Sequence, residues 1–94
     1  MNLKILQLAS GDVIVGDRVE YDKLQNVFYL SYTTIDKEQG PVLTLSPYAF
    51  FVKDNTIVLN QQNVTWSSEP SEGMIKDYNR AIENISKVVN EAAQ

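Results

Sequence analysis

The sequence predicts a small, strongly bent barrel of five antiparallel β-strands followed by a C-terminal α-helix. Short segments rich in β-branched and aromatic residues, separated by turn-forming residues, fill the chain up to residue 66. Beyond residue 70 the apolar period changes from two residues to about 3.5, which is helical. The 94 residues fit one domain and show no crossover helices between the strand-like segments. We therefore expect the barrel over residues 1–66, and a linker and helix over 67–94 within the same domain.

Turn signals bound the first three predicted strands. Residues 3–9 are rich in apolar side chains and end at the turn pair Ser10-Gly11. Residues 12–21 read as a half-buried strand, and Gly16 within them indicates a bend or a close backbone approach. Four apolar residues of this strand share one parity, namely Val13, Val15, Val19 and Tyr21. Residues 27–34 carry the strongest β signal of the chain.

Two further strands and the helix follow a charged loop. Residues 41–52 read as an edge strand, a bulged strand or two short pieces, because Pro47 interrupts them. A tight turn at 53–55 precedes a final strand over 56–66. Ser68 or Ser71 is expected to cap the helix. Its apolar stripe spans under three heptads, so it is expected to pack on the barrel or on a neighbouring subunit rather than form a coiled coil; the stripe comprises Ile75, Tyr78, Ile82, Ile85, Val89 and Ala92.

Composition excludes several classes of function. The chain has no cysteine and no histidine, so disulfides, thiolate metal sites and the usual general base near neutral pH are absent. We expect no enzyme activity and no cofactor, because no nucleophile–base pair can be assembled. The net charge of −4 is spread along the chain without a basic block, which argues against non-specific binding to duplex DNA or to a membrane. With no signal peptide or membrane-spanning run, the cytoplasm is the expected compartment.

Two groups of side chains allow more than one interpretation. An acidic group suggests a metal site, but its spacing does not support one and a solvated face is the favoured reading; it comprises Asp12, Asp17, Glu20 and Asp22. An aromatic group suggests a platform on which nucleobases stack, although barrel core and subunit interface are the more common use of such residues; it comprises Tyr29, Tyr32, Tyr48, Phe50 and Phe51.

A spaced string between Leu8 and Asn26 carries a family resemblance. An apolar start is followed by two glycines five residues apart, then by Asp and Asn four residues apart. This string resembles the first signature motif of the Sm-like proteins, which include the LSm and Hfq-type proteins. A chain this short and acidic also resembles small phage-encoded members of the family. Each residue type suits its position for a physical reason. Gly11 suits a hairpin turn, and Gly16 lets a strand curl. Asp22 can accept hydrogen bonds from turn amides, and Asn26 tolerates a left-handed backbone.

A second segment resembles the other Sm-like motif, and its departures concern function. Residues 51–59 match the family at Asn55 and at the following β-branched run, so the resemblance covers residues 3–64 and implies a five-stranded, SH3-like barrel. Lys53 stands where the family has Arg, and Asp54 where it has Gly. The family's base-stacking position is Leu24, which offers no aromatic platform. The family's helix precedes the first strand, whereas this helix comes last.

The resemblance implies a homo-oligomeric ring with two alternative functions. Family members form rings of five to seven subunits by pairing the fourth strand with the fifth of a neighbour, here 42–52 against 56–66. The first alternative is binding of single-stranded RNA, or action as an RNA chaperone, through a pocket of Leu24, Asn26, Lys53 and Asn55. The second is a structural or protein-interaction ring that binds no RNA and docks a partner through the helix. A monomer would leave a lone SH3-like module.

Overall fold

A computed structural model describes residues 1–38 and 40–93, with side chains described except at 33–36 and 86–93. Single turns at Lys53–Asn55 and Gln61–Asn63 flank the fifth strand. The protein is mainly β, and its regular elements are β1 Leu3–Leu8, β2 Val13–Glu20, β3 Lys23–Asp36, β4 Gly40–Pro47, β5 Thr56–Val58, β6 Val64–Ser68 and α1 Glu72–Ala93. No helix in this part of the chain is long and apolar enough to cross a membrane.

The six strands form one antiparallel sheet. Its order is β4-β3-β2-β1-β6, and β5 pairs with the first residues of β3. The prediction of an antiparallel β fold with a C-terminal helix is confirmed. The prediction of a barrel differs from the structure, because the sheet is not closed: β4 and β6 are its ends and do not pair in the described residues.

The sheet has six strands rather than five because the predicted final strand is divided. Residues 56–66 were expected to be continuous, but β5 ends at Val58 and β6 begins at Val64. The side chain of Asn60 accepts a hydrogen bond of 3.1 Å from the backbone N–H of Gln62, which stabilises a turn in place of the ladder. The predicted strand over 41–52 likewise ends at Pro47, two residues before Ala49 adopts a left-handed backbone with φ 60°.

Both faces of the sheet carry a buried apolar cluster. Adjacent residues of β2, Ile14 and Val15, are each fully buried, and they belong to different clusters because successive side chains of a strand point to opposite faces. The helix-side cluster contains Leu3, Val15, Phe28 and Tyr78. The opposite cluster contains Leu6, Ile14, Leu24 and Val27. Since α1 covers the first cluster, burial of that face does not require the sheet to close.

The terminal helix is part of the domain core. Ser71 caps it: its hydroxyl oxygen accepts a hydrogen bond of 3.2 Å from the N–H of Met74. Tyr78 is 1% exposed and packs edge-to-face on Phe28, with ring centroids 5.5 Å apart. Ala81, Ile82 and Ile85 pack against the same cluster. The expected packing on the chain's own sheet is therefore confirmed, and the side chains of Val89 and Ala92 lie outside the described residues.

Candidate nucleic-acid interface

The two motif segments meet at a pair of asparagines. The Nδ2 of Asn55 donates a hydrogen bond of 3.3 Å to the Oδ1 of Asn26, and both side chains are half-buried. A second contact runs beside it: the Nε2 of Gln25 donates to the backbone oxygen of Asp54 at 3.1 Å. Residues 29 positions apart are thus held together by their polar groups. Each amide keeps further donor or acceptor capacity that a ligand can use.

A β-bulge places Asn26. The β2–β3 register shifts between Val15 and Asp17, so Asn26 and Val27 face the single residue Gly16. Asn26 has φ 53°, a left-handed conformation that asparagine tolerates better than most residues. A Cβ on Gly16 would lie 2.9 Å from the Cγ2 of Val27. The absence of that atom allows the bulged strand to approach β2.

A left-handed turn places Asn55 and Lys53. Asp54 and Asn55 have φ 57° and 52°, and the N–H of Thr56 bonds to the carbonyl of Lys53. Asp54 stands where the Sm-like motif has glycine, and it adopts a backbone conformation that glycine favours. The side chain of Lys53 is exposed at the start of this turn. The turn therefore carries, at consecutive positions, the ammonium of Lys53, the carboxylate of Asp54 and the amide of Asn55.

Leu24 lies in the core rather than at the surface. Its side chain is 1% exposed and belongs to the cluster opposite the helix, with Ile14 and Val27. The resemblance assigns the stacking contact to this position, but in this chain the leucine presents no surface on which a base could stack. The structure thus brings Asn26 and Asn55 together and leaves Leu24 out of the exposed pocket.

Phe51 is an exposed aromatic side chain close to Lys53 in the sequence. It is 91% exposed, the highest value among the large apolar side chains that the structure describes. The neighbouring Phe50 points inward instead, with its ring centroid 5.2 Å from that of Phe28. The left-handed Ala49 precedes this pair, and its carbonyl accepts a hydrogen bond from Val52. Of the aromatic group singled out from sequence, Phe50 contributes to the core, whereas Phe51 offers the most accessible ring.

The remaining motif residues have backbone roles. Gly11 has φ 96° and closes the β1–β2 turn through a hydrogen bond of 2.9 Å from its N–H to the carbonyl of Leu8. The backbone oxygen of Asp22 accepts from the N–H of Leu59 at 2.7 Å, which joins the β2–β3 turn to the end of β5. Among the described residues the expected bond from the Asp22 carboxylate to turn amides is not formed. Asp22 therefore acts here through its main chain.

Tyr78 connects the helix to the bulge. Its hydroxyl donates a hydrogen bond of 2.7 Å to the backbone oxygen of Asn26. Burial raises the pKa of the Tyr78 phenol well above its usual value, and the negative charge of Asp17 adds to this shift. The phenol consequently stays protonated and remains a donor over the whole physiological pH range. Sequence analysis placed Tyr78 in the apolar stripe, and no local signal indicated its polar contact.

The acidic group does not converge on a metal site. In the residues that the structure describes, no three Asp or Glu side chains are placed to hold a metal ion. Asp17 accepts a hydrogen bond of 2.9 Å from the N–H of Asn2, and Glu20 lies 3.3 Å from the ammonium of Lys23. These carboxylates have separate partners on the protein surface.

Comparisons with known proteins leave the family open. No protein-family model matches the sequence, and no similar sequence is found among curated proteins.

Proposed function

We propose that this protein is an Sm-like subunit that assembles into a homo-oligomeric ring and binds single-stranded RNA at the Asn26–Asn55 pair. The observation that carries the proposal is the hydrogen bond between these two amides. The Sm-like motifs contribute the base-binding groups from the same two segments, and here the segments are 29 positions apart yet in contact. This contact supports the proposal because it joins the two segments that resemble the Sm-like motifs.

The chemistry of the pocket suits a nucleobase and its phosphate. The two amides supply donors and acceptors that match the polar edge of a base. Lys53 supplies a positive charge, so binding is expected to weaken as salt rises. We assign the stacking role to Phe51, which is 91% exposed and precedes Lys53 by two residues in the sequence. Stacking of a base on an aromatic ring is worth about 1–3 kcal/mol. The proposed site therefore consists of Asn26, Asn55, Lys53 and Phe51.

The proposed ring rests on the two ends of the open sheet. β4 and β6 each have a paired neighbour on one side, and such edges bind further strands unless they are blocked. Pairing β4 of one subunit with β6 of the next repeats head to tail and closes as a ring when the rotation allows. By family resemblance the ring would have five to seven subunits. A ring also multiplies a weak site, because several pockets can bind one RNA strand.

A structural or protein-interaction ring without RNA binding is the second candidate. It is favoured by the burial of Leu24 and by the net charge of −4. In this alternative the outer face of α1 is the docking surface, and it carries exposed charged residues such as Lys76, Arg80 and Glu83. Deleting α1 would not test this candidate, because Tyr78 belongs to the core. Charge substitutions on the outer face test it without opening the core.

One sample decides between these candidates. The mass of the purified assembly is measured by light scattering, and the same sample is titrated into fluorescent U-rich and A-rich oligonucleotides at low salt. The proposal expects a ring that binds RNA, with binding weakened by Lys53→Ala. A ring that binds neither oligonucleotide supports the structural candidate. A monomer contradicts both.

A further inference from the structure

Asn26 is held by hydrogen bonds from two different directions. Asn55 binds its side-chain oxygen, and the Tyr78 hydroxyl binds its backbone oxygen at 2.7 Å. Asn26 has no partner in the β2–β3 register, because it lies in the bulge. A carbonyl left out of a strand ladder requires another donor when it is shielded from water. The tyrosine supplies that donor from 52 positions further along the chain.

Core packing fixes the position of this hydroxyl. The Tyr78 ring is 1% exposed and contacts Phe28, which follows Asn26 by two residues in the same strand. The same cluster contains Leu3 and Val15 from β1 and β2. The hydroxyl therefore cannot move away from Asn26 unless the helix shifts on the sheet. The bulge, in turn, loses its donor if the helix shifts.

We propose that Tyr78 is a positioning residue for the RNA pocket. Its hydroxyl holds the Asn26 bulge in the left-handed conformation that places the amide beside Asn55, so docking of α1 and binding of RNA are coupled. This inference rests on the proposed function for its RNA part. Coupling of this kind is reciprocal, so RNA that binds the ordered bulge also stabilises the docked helix.

Tyr78→Phe tests the proposal because it keeps the ring and removes the hydroxyl. Two quantities are measured: RNA affinity by fluorescence anisotropy, and the side-chain amide resonances of Asn26 and Asn55 in the free protein by NMR. The expected result is a weakening of RNA binding by about fivefold, the factor that corresponds to one lost hydrogen bond. Both side-chain amide resonances are expected to shift.

Ile82→Val is the matched control. It loosens the same helix face by one methylene and leaves the hydroxyl bond in place. It should change RNA affinity by less than about twofold and leave the side-chain amide resonances of Asn26 and Asn55 unmoved. This should hold even if it lowers the melting temperature as much as Tyr78→Phe does. A purely structural role for Tyr78 would make the two variants behave alike.

The outcomes separate this inference from the proposed function. Equal effects of the two variants on affinity, or unmoved amide resonances in Tyr78→Phe, would overturn the positioning role. If the wild-type protein binds no RNA, the proposed function fails. In that case the amide resonances of the free protein alone decide whether Tyr78 positions Asn26, and the coupling to RNA is rejected.

Discussion

The amide nitrogen of Asn55 lies 3.3 Å from the amide oxygen of Asn26, and this contact joins a left-handed turn to a β-bulge. Both asparagines have positive φ, at 52° and 53°. Each lies where the backbone leaves regular strand geometry, and its side-chain amide bonds to that of the other asparagine. The pair is the structural centre of the proposed pocket.

The close approach at Gly16 predicts a specific pattern of stability. Gly16→Ala would place a Cβ 2.9 Å from the Cγ2 of Val27, and we expect it to lower the free energy of unfolding by about 1–3 kcal/mol. Urea denaturation measures the change. Gly16→Ala should cost less stability in a Val27→Ala background than in the wild type, because the smaller side chain at position 27 removes the clash.

Gly73→Ala is the control for this effect. Gly73 lies in the first turn of α1, where the nearest atom to a new Cβ is the Ser71 hydroxyl oxygen at 4.0 Å. Alanine loses less backbone entropy than glycine on folding, so a gain of up to about 1 kcal/mol is expected. If Gly16→Ala also stabilised the protein, the close approach of β3 to β2 would be contradicted.

The buried phenol of Tyr78 predicts how stability depends on pH. Its pKa is raised in the folded protein, so above the ordinary tyrosine value of about 10 the unfolded chain loses a proton that the folded chain keeps. Stability from this group is complete below that pH and declines as pH rises, by at most about 1.4 kcal/mol per pH unit. Chemical denaturation between pH 8 and about 11 measures the slope.

Tyr78→Phe isolates the contribution of this phenol. The variant is expected to have a shallower decline in stability above pH 10 than the wild type, because the other titrating groups are unchanged. Identical slopes for the two proteins would show that the phenol is not buried in solution.

The proposed edge pairing predicts that a charge on β4 breaks the proposed assembly. Val42 is 40% exposed on this end strand, and Val42→Lys would place an ammonium where a neighbouring strand should pair. We expect light scattering to show a monomer that keeps the wild-type circular dichroism spectrum. Val19→Lys is the control, because Val19 is 47% exposed but lies on β2, which is not an end strand of the sheet. An unchanged mass for Val42→Lys would exclude pairing through β4.

Periodicity predicted the first strands well but missed the two-sided core. The alternation in residues 12–21 placed Val19 and Tyr21 on a buried parity, yet they are 47% and 75% exposed, since neither apolar cluster extends that far along β2. Ile14, on the opposite parity, is fully buried. Alternation identifies two faces, but it does not show where a distant helix or hairpin will cover each of them.

The candidate site was predictable in its spacing and not in its details. The motif order indicated that Asn26 and Asn55 would act together, and the structure places them in contact. Leu24 is buried because its side chain points to the face of β3 that carries the cluster opposite the helix. The spacing of the motif residues does not determine which face that is. The outward turn of Phe51 follows a left-handed Ala49, a conformation that alanine adopts rarely and no local signal predicts.

The most direct test is an anisotropy titration of a U-rich oligonucleotide at low salt with wild-type protein and Asn26→Gly. Glycine accepts the left-handed backbone, so this variant removes the amide while preserving the bulge, whereas Asn26→Ala would also strain it. We predict salt-sensitive binding by the wild type and about tenfold weaker binding by Asn26→Gly at unchanged assembly mass. Equal binding by the two proteins, or no binding by the wild type to U-rich and A-rich strands, would contradict the account.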